Sequence, residues 1–181
     1  AMEVNSSHIP VRDAIHQLES EQLIEYEPNV GAIVKVINKQ DFEQTLEVLA
    51  VLEGYATALS AAYVTEKTID QLTAINLKMK HQLERYETEE AQKTNRLFHY
   101  TIYQQCPNEP LIRNIRELWE RLDIVRQNGL TFFPPRTSHT IQEHEQLLQL
   151  FRDEASFVVI ERAAREHKMN TLHTFRETYQ S

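Results

Sequence analysis

Three histidines lie on faces of predicted helices that are otherwise apolar, and imidazoles in such positions can bind a metal ion. His99 shares its helix face with Asn95 and Ile102, at spacings of four and three residues. The other two lie in separate apolar stripes, Ile141, His144, Leu148, Phe151 and Ile160, Ala164, His167, Thr171. Because a buried imidazole needs a partner for each ring nitrogen, one metal ion shared by His99, His144 and His167 would satisfy all three rings.

A hydrogen-bonded, purely structural role is the simpler interpretation of these histidines. Spacing leaves both interpretations open, because it does not show that three helices bring their rings to one point. His139 and His173 do not share the apolar faces, and His16 and His81 are predicted to face solvent. We interpret these four as ordinary residues without a role in binding.

The periodicity predicts that helices position these side chains. From Asn38 onward apolar residues recur at spacings of three and four, beginning with Phe42, Leu46, Leu49, Leu52, Ala56 and Leu59. Helix starts are predicted near Asn38, Thr65 or Thr68, Glu87, Asn108, Ser138 or Thr140, and Ala155. Pro134-Pro135 excludes a helix from the connector at residues 131–137. The predicted fold is all-α, a six-helix antiparallel bundle over residues 38–181.

Residues 10–34 have a different pattern, a short helix followed by two β-type strands. The strands are joined by the turn Pro28-Asn29-Val30-Gly31. This order is that of the second half of a winged helix-turn-helix, in which the helix enters a DNA groove and the hairpin flanks it. Its core is predicted to contain Val11, Ile15, Leu18 and Leu23. Residues 1–37 are therefore predicted to be a partial DNA-binding domain that precedes the bundle.

The composition is that of a helical protein from a reducing compartment. The single cysteine, Cys106, rules out an internal disulfide, and only three glycines favour helices over turn-rich β architecture. No apolar run approaches the roughly 20 residues that span a membrane, and Ala1-Met2-Glu3 does not begin a signal peptide. These features predict a cytoplasmic protein. The net charge of −8 is opposite to the usual basic character of nucleic-acid modules.

The segment that begins at Pro10 resembles the GntR family of bacterial transcription regulators. The matching text is Pro10-Val11-Arg12, then Leu18-Glu19, then Pro28-Asn29-Val30-Gly31-Ala32. In that family two further helices precede this segment, so the chain is interpreted as N-terminally truncated. The resemblance implies that the remaining residues form a sensor domain, which binds a small molecule and controls DNA binding.

The helical region resembles the FCD ligand-binding domain of the FadR branch of that family. The domain is typically marked by Asp-x-x-x-His, then Glu-His, then a late His. The corresponding text here is Asn95-Arg-Leu-Phe-His99, Glu143-His144 and Arg165-Glu166-His167, together with Asn108-x-x-Leu111. The resemblance implies a divalent metal ion, zinc or nickel with manganese as a further candidate, bound by Asn95, His99, His144 and His167. It also implies a small organic acid that coordinates the metal as effector.

The sequence departs from the family pattern at three positions. Asn95 replaces the usual aspartate, and an amide leaves the charge of a metal ion uncompensated. We therefore expect weaker metal binding and a stronger preference for an anionic effector. Leu49 and His8 each stand where many members have an arginine.

Four residues of the first 37 are predicted to contact DNA. Arg12 lies at the start of the recognition helix, where side chains reach base edges and phosphates. Ser7 and His8 are predicted to contact the phosphate backbone. Gly31 permits a tight turn at the tip of the wing, so that its backbone can approach the minor groove.

The resemblance implies a transcription regulator that binds operator DNA as a homodimer and is switched by a small carboxylate. One alternative is a helical dimerisation or interaction module without metal. A second is a mononuclear metal enzyme, but Glu143 and Glu166 are predicted to point away from the histidines, so no general base is placed beside them. No histidine has a glutamate three residues before it, as a di-iron bundle requires. The chain is therefore predicted not to be an enzyme.

Overall fold

The computed structural model describes residues 8–20, 24–27, 30–34, 39–127 and 137–179. The elements are α1 (His8–Ser20), β1 (Ile24–Glu27), β2 (Gly31–Val34), α2 (Lys39–Ala61), α3 (Glu66–Glu84), α4 (Thr88–Tyr103), α5 (Glu109–Gln127), α6 (Thr137–Arg152) and α7 (Phe157–Tyr179). The chain divides into two compact units, residues 1–38 and residues 39–181. We call them the first unit and the helical unit.

The first unit contains α1 and an antiparallel hairpin of β1 and β2. The strands pair from Ile24 with Val34 to Glu27 with Gly31. At the turn, the Val30 amide donates to the Glu27 carbonyl oxygen at 3.1 Å. Gly31 has a φ of 107°, which residues with a Cβ rarely adopt, so the turn requires glycine at this point. A helix followed by a hairpin was predicted for this segment, and both are present.

The predicted core of the first unit is only partly found. Val11 and Leu18 are 45% and 38% exposed on α1, so their assignment to the core was wrong. Ile15 is half-buried, and Leu23 lies outside the described residues. The physical reason is the small size of the β1–β2 hairpin on which α1 packs, because a two-stranded sheet offers too little surface to cover a helix face.

The helical unit contains α2 to α7, which confirms the predicted helical bundle. Two of the predicted helix starts are capped by side chains. Thr65 Oγ1 accepts a hydrogen bond from the Thr68 amide at 3.2 Å, and Asn108 Oδ1 accepts one from the Leu111 amide at 3.1 Å. The last helix begins at Phe157 instead of Ala155, because Glu154 has a φ of 47° and turns the chain before it. Most of the predicted connector falls at residues 128–136, outside the described residues.

The core of the bundle is built around two groups of packed helices. One group joins α2 to α7 and α5, and in the other α3 packs between α4 and α6. The rings of Phe42 and Phe175 lie 4.5 Å apart between α2 and α7. A Cβ added at Gly54 would lie only 2.9 Å from the Arg165 Cβ, so glycine permits the close approach of α2 and α7. Among the described helices, none has the combination of length and apolar character that crossing a membrane requires.

Candidate metal centre

Three helices of the bundle each contribute one buried imidazole to a common cluster. His99 lies on α4, His144 on α6 and His167 on α7, and their exposed fractions are 3%, 0% and 4%. Each lies among the apolar residues of its own stripe, since Ile102, Ile141 and Ile160 are also buried. The helical periodicity of the sequence therefore turns all three rings inward.

The three rings meet at one point. One ring nitrogen from each histidine can be chosen so that the three lie within 4.8 Å of one another. His99 Nε2 and His167 Nε2 are 3.1 Å apart. The ring centroids of His144 lie 5.1 Å from His99 and 5.0 Å from His167. Such a group of nitrogens can hold a single metal ion.

The orientation of the His144 ring is fixed by Asn76 on α3. Asn76 Nδ2 donates to the Ile141 carbonyl oxygen at 3.2 Å, so its Oδ1 is free to accept from His144 Nδ1 at 2.9 Å. The ring also stacks on Phe98, with centroids 3.8 Å apart. With the proton on Nδ1, the lone pair of His144 Nε2 is buried and has no hydrogen-bond partner among the described residues. A buried lone pair of this kind is suited to a metal ion.

Glu143 on α6 orients the His167 ring. His167 Nδ1 donates to Glu143 Oε2 at 2.7 Å, and Asn170 Nδ2 donates to the other carboxylate oxygen at 2.8 Å. The lone pair of His167 Nε2 is then directed to His99, as in the carboxylate–histidine pairs of metal sites. Glu143 was predicted to point away from the histidines. That prediction was wrong: Glu143 immediately precedes His144 in the sequence, but its side chain reaches across to His167 on α7.

Burial keeps two of these rings neutral. It lowers the pKa of His99 well below its ordinary value, with further lowering by the Lys168 ammonium and the two other imidazoles. Burial likewise lowers the pKa of His144, followed by the effects of His167 and Lys168. A neutral imidazole is the form that ligates a metal ion, so both rings are in the binding-competent state at neutral pH.

Asn95, the fourth predicted ligand, lies one helical turn before His99 on α4. The residue is half-buried, and its Oδ1 is buried without a hydrogen-bond partner in the part of the chain that the structure describes. An unpartnered buried carbonyl oxygen can serve as a ligand. The role of Asn95 stays a prediction, as do those of the three histidines.

A buried ion pair lies near the histidine cluster. Lys168 Nζ lies 2.9 Å from Glu53 Oε2, and the two side chains are 5% and 2% exposed. Trp119 Nε1 donates to Glu53 Oε1 at 2.6 Å, and the ammonium lies 4.2 Å from the centre of the Trp119 ring. Burial and the charge of Glu53 raise the pKa of Tyr103 well above its ordinary value. The pair thus balances its own charges in the interior.

Sequence reasoning missed several of these polar residues, although each carries a signal. Asn76, Glu53 and Lys168 occupy positions in apolar helical stripes, four residues after Leu72, Leu49 and Ala164. A polar residue in such a stripe must find a partner in the interior. Which residue becomes that partner depends on how the helices face one another, and local spacing does not determine this.

The predicted DNA-binding residues belong to the first unit. Arg12 is exposed on α1, and Gly31 begins β2 at the turn of the hairpin. Ser7 and the side chain of His8 lie outside the described residues. The assignment of all four to a DNA interface stays a prediction.

Residues 44–169 match the FCD domain family. The chain is 26% identical over 122 residues to the HTH-type transcriptional regulator McbR of Escherichia coli K12, a match that covers 67% of this chain and 55% of that protein. It is 25% identical over 153 residues to the Nta operon transcriptional regulator of Aminobacter aminovorans, covering 84% of this chain and 70% of the relative. The chain therefore spans little more than half the length of the first of these relatives.

Solved structures show the same fold. That of E. coli McbR/YncC has a TM-score of 0.74 at 21% identity and covers 96% of this chain and 82% of that one. That of a GntR-family transcriptional regulator from Pseudomonas syringae pv. tomato str. DC3000 has a TM-score of 0.59 at 25% identity, with coverages of 96% and 72%. Because the identity to E. coli McbR/YncC is only 21%, that likeness supports the fold alone.

The family match extends over most of the helical unit, and both named relatives are transcription regulators. The chain belongs to the FCD family, in the FadR-type branch of the GntR regulators. These relatives are regulators and not enzymes, in agreement with the prediction that the chain is not an enzyme.

Proposed function

We propose that the chain is part of a transcription regulator whose helical unit senses a small organic acid through a divalent metal ion. The observation that carries the proposal is the cluster of His99, His144 and His167, whose ring nitrogens lie within 4.8 Å of one another in the interior. A purely structural cluster would pair each buried nitrogen, whereas the Nε2 of His144 has no partner among the described residues.

The donor set fits a metal ion. His144 Nε2, His167 Nε2 and a ring nitrogen of His99 would be its ligands, with Asn95 Oδ1 as the fourth. When bound, the ion supplies a positive charge that attracts a carboxylate to its open position. Imidazole-rich sets suit zinc and nickel, and manganese prefers more oxygen ligands. Asn76 and Glu143 hold the rings of His144 and His167 in the required tautomers.

The first unit would supply DNA binding, through Ser7, His8, Arg12 and Gly31. Operator DNA with two-fold symmetry requires two such units, so we propose a homodimer that acts in the cytoplasm. Binding of the organic acid would favour one arrangement of the dimer over another and so change its affinity for DNA. A helical dimerisation module without metal is the alternative. A measurement of metal binding separates the two functions.

The test is metal binding by protein purified without a histidine tag. We expect Zn²⁺ or Ni²⁺ to bind to the chelator-stripped protein with a stoichiometry of about one, as measured by calorimetry. His144→Ala removes one ligand and should weaken binding at least about tenfold. His139→Ala is the matched control, because His139 lies on the same helix and is exposed.

Two results would contradict the proposal. One is the absence of stoichiometric binding by the unchanged protein, which favours the module without metal. The other is equal binding by the His144→Ala and His139→Ala variants, which would place the bound metal elsewhere.

A further inference from the structure

A cavity of about 400 Å³ lies between α4 and α5, and none of the three clustered histidines lines it. Both helices pack on α2, and they contribute all the residues that line the cavity. Its volume is within the range of small-molecule pockets. Of the lining residues, Tyr103 has its ring centroid 6.2 Å from that of His99. The cavity is thus a feature separate from the candidate metal centre.

The charge of the lining is opposite to that of the whole chain. Lys93, Arg96 and Arg116 line the cavity together with one acidic residue, Glu120, whereas the chain has a net charge of −8. Arg96 forms an ion pair with Asp123. Among the described residues Arg116 has no acidic partner, and its guanidinium lies 6.0 Å from the centre of the Tyr100 ring. A guanidinium that lies over an aromatic ring and is open to solvent can bind a carboxylate group.

The remaining walls are apolar and aromatic. Leu97, Ile112 and Ile115 supply aliphatic surface, and Trp119 supplies an aromatic face. A ligand that fits this lining has an apolar or aromatic body and one anionic group. A purely polar acid would leave the apolar walls without contacts, and a neutral apolar molecule would leave Arg116 unused.

We propose that this cavity binds a small amphipathic carboxylate, with Arg116 binding the carboxylate and Ile115 and Trp119 contacting the apolar body. The site goes beyond the function proposed above, since it needs neither the histidines nor a metal ion. Trp119 also donates to Glu53 in the buried ion pair, so a ligand in the cavity contacts a side chain that reaches the interior.

The single tryptophan of the chain lines the cavity and therefore reports on it directly. The probe is 4-phenylbutyrate, titrated into the full chain in the presence of a chelator, with Trp119 fluorescence and calorimetry as readouts. We expect saturable binding, with the neutral analogue 4-phenylbutanol binding about tenfold more weakly. Arg116→Glu should weaken binding of the acid by about tenfold or more, and Arg116→Gln by a smaller factor.

Arg113→Glu is the matched control, because Arg113 is exposed on α5 and does not line the cavity. It should bind 4-phenylbutyrate like the unchanged protein. Equal binding of the acid and the alcohol, equal loss in the Arg113 and Arg116 variants, or no saturable signal would overturn the proposal. His144→Ala should retain 4-phenylbutyrate binding. Loss of metal binding alone would therefore count against the metal-dependent function and leave this site intact.

Discussion

The His167 ring lies between a carboxylate and a second imidazole, and the two neighbours assign different roles to its nitrogens. Nδ1 donates to Glu143 at 2.7 Å, and Nε2 faces His99 Nε2 at 3.1 Å. The carboxylate also brings a negative charge close to the cluster. From the sequence, Asn95 led us to expect an uncompensated metal charge. Glu143 revises that expectation, since it can offset part of the charge through the His167 ring.

The variant Glu143→Gln tests whether Glu143 supports metal binding through His167. His167 and Asn170 donate to different oxygens of Glu143, and glutamine has an amide NH2 group in place of one of them, so it loses one acceptor position and the negative charge. We expect the affinity for Zn²⁺ to fall by about 10- to 100-fold in calorimetry, while the fold is retained. Glu145→Gln, exposed on the same helix, should leave the affinity unchanged. Equal affinities of the two variants would show that Glu143 does not support the site.

The sequence predicts some of these residues and not others for a physical reason. The inward direction of His99, His144 and His167 follows from the period of each helix, which is a local property. The partners Asn76 and Glu143 are 68 and 24 residues away from the rings they orient. Such pairs depend on the rotation of each helix against its neighbour, and no local pattern encodes that rotation.

At the scale of elements, the helices themselves were predictable because their limits are set nearby. Thr65 and Asn108 cap helices through hydrogen bonds that span three residues. The start of α7 was placed too early, since the left-handed backbone at Glu154 has no clear signal in the sequence. Non-glycine residues in that conformation are uncommon.

One face of the helical unit exposes apolar side chains on α2 and α7. Val51, Tyr55, Phe157 and Val158 are 57%, 47%, 41% and 61% exposed. All four side chains line a groove of about 360 Å³. The rings of Tyr55 and Phe157 lie 5.3 Å apart. Contiguous apolar surface of this kind is typical of protein interfaces. This face, the α2–α7 patch, is where we expect the interface of the homodimer proposed above.

The combined change Val51→Glu and Val158→Glu tests this interface. Charges buried in an apolar interface oppose association, so we expect the double variant to be monomeric in sedimentation velocity at concentrations where the unchanged protein is dimeric. Leu77→Glu is the control, because Leu77 is 52% exposed on α3, away from the patch. A dimer that survives the double change, or one that Leu77→Glu disrupts equally, would mean that another surface forms the interface.

At the scale of the whole molecule, the neutral histidines make stability depend on pH. Burial lowers the pKa of His99 and of His144 in the folded state. In the unfolded chain the same rings take up protons near pH 6.5. Below about pH 6.5 the unfolded state therefore binds more protons, and the free energy of unfolding falls as the pH falls, by at most about 1.4 kcal/mol per pH unit for each ring. Above about pH 6.5 this contribution is fully present and constant.

Urea unfolding of the chelator-treated protein between about pH 7.5 and about pH 5.5 measures this dependence. His144→Gln cannot be protonated in this range, so its stability should fall less steeply than that of the unchanged protein. His139→Gln, which replaces an exposed ring, should keep the original slope. If His144→Gln also keeps that slope, burial of His144 does not contribute to the acid sensitivity.

The close contact at Gly54 has a consequence for how movement can pass through the helical unit. Glu43 and Glu47, in the opening turns of α2, both accept hydrogen bonds from Arg176 near the end of α7, at 2.8 and 2.7 Å. Sliding of α2 against α7 would disturb both the close approach at Gly54 and these hydrogen bonds. His167 lies on α7, and α2 is the first helix after the first unit. The paired helices α2 and α7 therefore connect the helix that contains His167 with the first helix of the helical unit, so a shift of α7 would be shared by α2.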